Sequence, residues 1–452
     1  MNAKRKYCAV ILVFLFFVAG CVTIEAFETE KTKLRSVLLK ELAEAGAAYA
    51  QSTDDSALRM QYANLLFQAG EFRKAKEILA PLVEIAPKDV SILELGARLA
   101  YMTGDYQSAE KLYAQFMDIA DKDSEEYNSA VEGLALTYFQ THQYAKVKKL
   151  PAIEAFKTHR DFLKKFPGTP YEIEWENEEK VSVLPFEIKN MLPTMDVTVN
   201  GHELEFILDT GGNLFYIDKG IAEKCGLQKL VTQKAKYAYT GGEEVEEFLG
   251  RADSVKLGEV TLKNVPFTLA EWKARGIQSD GVVTTQALKE FLATVDYANK
   301  RMIFRERSQH GMKQFKESTA GKETVKMPFV LDNTHFMFVR GSLNSVKGLT
   351  FLVDSGLAMS MPFVGMDGLI EDMGLELTKI EGTNYSWFKI ESLGMGGLMS
   401  DKPAQGLAGI IIEENPYWRL GFIWDGLISH QFLKNFGSWT IDFDSMTYVF
   451  EK

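Results

Sequence analysis

Phe206-Ile207-Leu208-Asp209-Thr210-Gly211-Gly212 is an apolar run that ends in an aspartate, a hydroxyl residue and a glycine. It returns, altered, as Phe351-Leu352-Val353-Asp354-Ser355-Gly356-Leu357, with the two aspartates 145 positions apart. Asp280-Gly281 and Asp425-Gly426 keep that offset, as do Leu288 with Leu433 and Phe291 with Phe436. One residue is then inserted, so that Asp296 and Asp442, and Phe304 and Phe450, are 146 apart. An offset held over so long a stretch marks a duplicated unit. Each unit supplies one aspartate in the same local setting, and two units facing each other bring two carboxylates together.

The setting of each aspartate reads as the end of a strand. Met195, Val197 and Val199 alternate with polar residues, Asn200-Gly201 is a two-residue hairpin turn, and Leu204, Phe206 and Leu208 alternate on the return. Asp209 thus arrives on a rigid strand and enters a glycine-bearing loop, whose backbone N–H groups favour its ionised form. Ile217 to Leu227 reads as a short helix and Tyr237 to Gly250 as a polar flap. Asp280 to Leu288 reads as a strand running into a helix, and Thr294 to Phe304 as a closing strand pair. The second unit repeats the plan. It has paired strands before Asp354, a short helix within Pro362 to Leu375 and a flap candidate from Thr383 to Gly397. A strand-to-helix unit from Asp425 to Gln431 and a paired last strand around Phe450 complete it.

Lys31 to Leu150 differs in kind, being rich in Ala, Leu, Glu and Lys with few β-branched residues, which is a helical composition. Gly70-Glu71-Phe72-Arg73-Lys74-Ala75 recurs 34 residues on as Gly104-Asp105-Tyr106-Gln107-Ser108-Ala109, and His142-Gln143-Tyr144-Ala145-Lys146-Val147 is a degenerate third copy. The glycine permits a tight turn between paired helices, and the aromatic and the alanine let them pack closely. This segment resembles tetratricopeptide repeats. The resemblance implies a concave face for a peptide or a protein partner; a spacer holding the next domain off a membrane is the other reading. The acidic, proline-punctuated stretch after Phe166 reads as a linker.

An apolar strand into Asp-Thr-Gly, a flap hairpin and an apolar strand into a short helix resemble the aspartic protease fold of retropepsins and pepsins. The two linked copies resemble its bilobal form. Thr294-Val295-Asp296-Tyr297 and Thr440-Ile441-Asp442-Phe443 resemble the C-terminal strands of bacterial retropepsin-like domains. The expected architecture is multidomain: N-terminal all-α helical repeats, then a bilobal, mainly-β acid-protease fold. The expected divisions are a leader at 1–20, a tether at 21–30, helical repeats at 31–165 and a linker at 166–181. The first lobe follows at 182–310, a connection at 311–323 and the second lobe at 324–452.

The resemblance implies that Asp209 and Asp354 form a catalytic pair. Thr210 and Ser355 would brace it, each hydroxyl donating to the backbone of the opposite loop, and Gly211 and Gly356 would supply backbone contacts to the carboxylates. Two such carboxylates cannot both ionise cheaply and share one proton. One acts as base toward a trapped water while the other polarises a peptide carbonyl, without metal or cofactor. The chain departs from the family's pattern at Gly212 and Leu357, after the glycines, and at Thr284 and Ser429, where a glycine is usual; these changes could loosen the loops. The six histidines show no metal-ligand spacing. His430 reads as a surface or core residue, and Asp280 and Asp425 as turn residues near strand starts.

The N-terminus reads as an address. Lys4, Arg5 and Lys6 precede an apolar run from Ala9 to Val18, and Val18-Ala19-Gly20-Cys21 resembles the bacterial lipoprotein cleavage box. That resemblance implies removal of residues 1–20, lipid on Cys21, and a chain exported and tethered to the cell envelope. The leader carries three positive charges and no negative ones, so the net charge of −11 becomes −14 without it. An acidic surface argues against nucleic acid as a partner. Of three cysteines, only Cys225 then remains unassigned; it reads as a small buried hydrophobe. Two functions follow: a lipid-anchored aspartic endopeptidase whose helical arm binds substrate or a partner, or an inactive protease-fold lipoprotein that serves as a scaffold.

Overall fold

The computed structural model describes residues 35–236, 244–273, 278–358, 360–381, 385–408 and 420–452. The leader, Cys21, the tether, residues 237–243 of the first flap and 383–384 of the second lie outside them. Eight helices form the arm: α1 (Arg35–Gln51), α2 (Ser56–Gln68), α3 (Phe72–Ile85), α4 (Val90–Met102), α5 (Tyr106–Ile119), α6 (Glu125–Gln140), α7 (Tyr144–Val147) and α8 (Glu154–Lys165). Asp55, Asp89, Asp105 and Ser124 start four of them, each side chain accepting from first-turn N–H groups. The turns of the first two repeats need a left-handed residue, met by Gly70 (φ 78) and Gly104 (φ 82). In the degenerate third copy His142 takes the same conformation (φ 59), which ties that copy to the other two.

The first lobe contains β1 (Glu172–Trp175), β2 (Val181–Pro185), β3 (Glu187–Lys189), β4 (Leu192–Val199), β5 (His202–Asp209), β6 (Phe215–Asp218), α9 (Lys219–Lys224), β7 (Gln228–Lys236), β8 (Glu244–Leu257), β9 (Val260–Ala270), β10 (Gly281–Thr284), α10 (Thr285–Lys289), β11 (Phe291–Asp296) and β12 (Arg301–Glu306). After α11 (Gln309–Ser318), the second lobe contains β13 (Thr324–Asp332), β14 (Phe336–Leu343), β15 (Val346–Asp354), β16 (Phe363–Gly365), α12 (Asp367–Met373), β17 (Thr378–Lys379), β18 (Ser386–Ile390), β19 (Leu393–Met395), β20 (Leu398–Ser400), β21 (Ala404–Ala408), β22 (Gly426–Ser429), α13 (His430–Leu433), β23 (Ser438–Asp442) and β24 (Thr447–Glu451).

The duplication is visible in the pairing. β5 runs parallel to β10 and antiparallel to β4; β15 runs parallel to β22 and antiparallel to β14. A shared antiparallel sheet, in the order β13-β24-β23-β11-β12-β2, joins the lobes beneath the aspartates. At its centre Thr294 faces Thr440, their hydroxyls 2.7 Å apart. Two connections differ from expectation. The stretch expected as a linker at 166–181 contains β1, which pairs with β9 through Ile173 opposite Leu262. The connection expected at 311–323 is largely the helix α11, capped by Ser308.

The arm does not stand apart from the lobes. One hydrophobic cluster runs from its helices into the second lobe. Phe422 packs edge-on against Phe67 and Phe72 of the arm and Phe338 of β14, with ring centroids 4.8–5.8 Å apart. Arg98 donates to Leu420 O (2.6 Å) and pairs with Asp332; Ile423 N donates to Gln68 O (2.8 Å). The β13–β14 turn meets the C-terminal ends of α4 and α6, where Tyr101 donates to Asn333 O and Gln140 to Thr334 O. Part of the surface that the repeats would offer a partner is therefore occupied by the chain itself.

Candidate active site

Strand pairing places the two aspartates. Asp209 closes β5 opposite Thr284 of β10, and Asp354 closes β15 opposite Ser429 of β22. Each strand then turns through its glycine into a loop that meets the loop of the other lobe. A Cβ on Gly211 would sit 2.8 Å from Asp354 Oδ1, and one on Gly356 would collide with the Asp209 carboxyl. Only glycine lets each carboxylate approach the opposite backbone this closely. Gly211 N donates to Asp209 Oδ1 at 2.7 Å and Gly356 N to Asp354 Oδ1 at 3.0 Å.

Thr210 and Ser355 lock the loops together across the lobes. Thr210 N donates to Ser355 Oγ, and Ser355 N donates to Thr210 Oγ1, both at 3.0 Å. Thr210 Oγ1 in turn donates to Val353 O at 3.2 Å, while Ser355 Oγ enters as an acceptor. The brace is therefore an exchange of backbone N–H and hydroxyl, and all four groups are buried.

The residues that depart from the family's pattern tighten these loops. Thr284 Oγ1 donates to Asn213 O and Ser429 Oγ to Met361 O, each at 2.6 Å. Two different hydroxyl residues thus pin equivalent loops in the two lobes. Gly212 is matched to Thr284, since a Cβ there would lie 2.6 Å from Thr284 Cγ2. Leu357 is fully buried in the cluster shared with the arm, and glycines stand against both carboxylates.

Burial dominates the electrostatics: Asp209 is 0 % and Asp354 2 % exposed. Loss of hydration pushes Asp209 up to about 6, against the hydrogen bond from Asp354 and the N–H groups of Gly211, Gly356 and Gly212. Asp354 is pushed well above the usual carboxylate range by burial first, then by the charge of Asp209 beside it. Asp354 thus keeps the common proton while Asp209 carries the charge. Among the described residues, no N–H or hydroxyl donates to Asp209 Oδ2.

The two acids expected as turn residues hold the dyad strands. Asp280 accepts from Glu205 N (2.9 Å) and pairs with Lys273; Asp425 accepts from Thr350 N (2.7 Å). The cation on Asp425 is Arg35 of α1, bidentate at 2.9 and 3.0 Å and almost fully buried. The 145-residue offset singles out Asp425, yet nothing local in the sequence points to Arg35. His430 is a buried contact between lobes, its Nδ1 3.0 Å from Tyr297 Oη, and Cys225 is buried. A cavity of about 640 Å³ beside His142, Trp175, Glu290 and Arg307 takes in neither aspartate.

A family model described as aspartyl protease matches residues 195–287, and one described as tetratricopeptide repeat matches 40–99. No curated protein matches the chain. Among solved structures, a retropepsin-like aspartic protease from Rickettsia conorii shares 16% identity, with 30% of this chain and 94% of that one covered at a TM-score of 0.21. A tetratricopeptide repeat protein from Parabacteroides merdae ATCC 43184 shares 17%, with 29% of this chain and 55% of that one covered at a TM-score of 0.25. The chain thus spans about half the length of that repeat protein. The two matched segments are thus similar to an aspartyl protease and to tetratricopeptide repeats. The first match includes Asp209 and ends before Asp354, so the second lobe stands on the internal offset and the strand pairing.

Proposed function

We propose that the protein is an aspartic peptidase in which Asp209 and Asp354 activate one water against a peptide carbonyl. The observation that carries this reading is the meeting of two buried carboxyl groups, one from each lobe, each against the glycine of the opposite loop. Ionised Asp209 takes a proton from water as its oxygen bonds to the carbonyl carbon, and Asp354 gives its proton to the carbonyl oxygen. Collapse of the tetrahedral species returns that proton to Asp354 and breaks the C–N bond, while the proton held by Asp209 passes to the leaving amine. Neither acid recognises a chain terminus, so the dyad by itself sets no limit on where along a peptide the bond lies.

Asp209→Asn and Asp354→Asn test it. Each alone should lower peptide hydrolysis by about two orders of magnitude or more, the range general acid–base catalysis supplies, with the fold unchanged by circular dichroism. The burial of both acids favours a second reading, a protease-fold scaffold without activity; wild-type protein that cleaves no faster than the variants would select it. The same proposal places the chain on the cell envelope, exported and held by lipid on Cys21. Cys21→Ser should then move the protein from the membrane fraction to the soluble one, and unchanged partition would remove the anchor from the account.

A further inference from the structure

Residues i and i+2 of a strand share a face, so the face that carries each dyad carboxylate can be followed outward through the pairing register. In the second lobe the row beside Asp354 runs Phe338, Leu352, Leu427, Val364 and Leu407. All five belong to the cluster that holds the inner side chains of the helical arm. Phe422 makes the link directly, touching Phe338 on one side and Phe67 and Phe72 on the other.

The equivalent row of the first lobe behaves differently. Ile207, Val282 and Tyr216 are paired in the same order beside Asp209. They form a small separate cluster with Trp272 and Ala235, and no arm residue enters it. Ala235 lies on β7 and Val245, packed against the cluster, on β8. Beyond Phe248, β8 no longer pairs with β9, so these two strands pair only with each other. The base of this hairpin is held, since Leu230, Val231 and Leu249 join the arm's cluster and Lys165 of α8 donates to Leu230 O; its outer part, 233–236 with 244–247, can move without breaking any other ladder.

The arm cannot lift so cheaply. Separating it would expose Phe67, Phe72, Phe338 and Phe422 to water together, and would break the buried Arg35–Asp425 pair. We infer that the arm is a fixed wall across the second-lobe half of the cleft, which limits the peptidase to bonds near one end of a peptide. The row held by the arm begins two residues before Asp354, about 7 Å along the strand; on the inference that the peptide extends along β15, about two of its residues fit on that side. The longer part of the peptide runs along the first lobe, beneath the hairpin. This inference rests on the peptidase reading and names the substrate class it implies: peptide chain ends.

The test is a series of decapeptides that carry the same cleavable apolar pair at successive positions. They are digested by the full mature chain, with Asp209→Asn as blank, and read by mass spectrometry. Products cut within about two residues of the same terminus throughout are expected. Phe422→Ala should shift cleavage inward, raising kcat/KM at mid-chain positions about tenfold, as loss of about 1.4 kcal/mol of obstruction would. Asp209-dependent cleavage in mid-chain by the wild-type protein would overturn the wall and leave the peptidase standing. No Asp209-dependent cleavage at any position would sink both.

Discussion

Asp209 and Asp354 are the same residue type at equivalent strand ends, yet they bind a proton unequally. Asp209 is raised from 3.8 to about 6, and Asp354 further, because it takes up its proton beside a charge that is already there. A carboxyl raised on folding binds a proton in the native chain that the unfolded chain has released. Between about pH 4 and 6 the native state therefore binds more protons, and stability falls as pH rises through that window. Asp209→Asn or Asp354→Asn should relieve this. At pH 7 each variant should be more stable than the wild type, Asp209→Asn by up to ~3 kcal/mol for its shift from 3.8 to about 6, and the gain should fade toward pH 4. Thermal melts across that range check it, and a gain independent of pH would contradict it. Both aspartates were legible in the sequence, since strand, acid, hydroxyl and glycine are local signals that the duplication repeats. Arg35 was not, since its partner lies 390 residues away.

At the scale of elements, the loops that leave the two aspartates are held by the hydroxyls of Thr284 and Ser429. Ser429→Ala would leave Met361 O buried without that donor, at a cost of about 1–3 kcal/mol. Because Met361 lies on the loop leaving Asp354, kcat should fall more than KM rises; Ser429→Thr should restore part of it. Steady-state kinetics beside a melting curve separate the two effects, and an unchanged kcat would remove the pin from the mechanism. The strands around each aspartate were readable from alternation and turn residues. β1 was not, although Glu172-Ile173-Glu174-Trp175 alternates as an edge strand should, with its glutamates exposed. Two alternations among acidic residues are too few to distinguish from a linker. The hydroxyls at Thr284 and Ser429 read as losses, because the carbonyls they reach, at Asn213 and Met361, lie some 70 residues away in the chain.

At the scale of the whole molecule, the helical arm packs on the two β lobes through a shared hydrophobic cluster. Periodicity identified the arm and its repeats but not where they dock, because a concave face looks the same whether a partner or the chain itself fills it. The buried Arg35–Asp425 pair is the most specific part of that docking. Arg35→Met should destabilise the protein by ~3–5 kcal/mol by leaving Asp425 unpaired in the interior. Arg35→Met with Asp425→Asn should recover most of that loss, and additive losses would show that the two residues do not act as a pair. The account turns on whether the lobes contribute one acid each to a common proton. Carbon-13 NMR of aspartate-labelled protein, with Asp209 and Asp354 assigned through their Asn variants, measures this directly. The account predicts that Asp209 titrates near 6 with Asp354 higher, and that replacing either acid moves the other. Two carboxyls that titrate independently near 4, each indifferent to loss of the other, would contradict it.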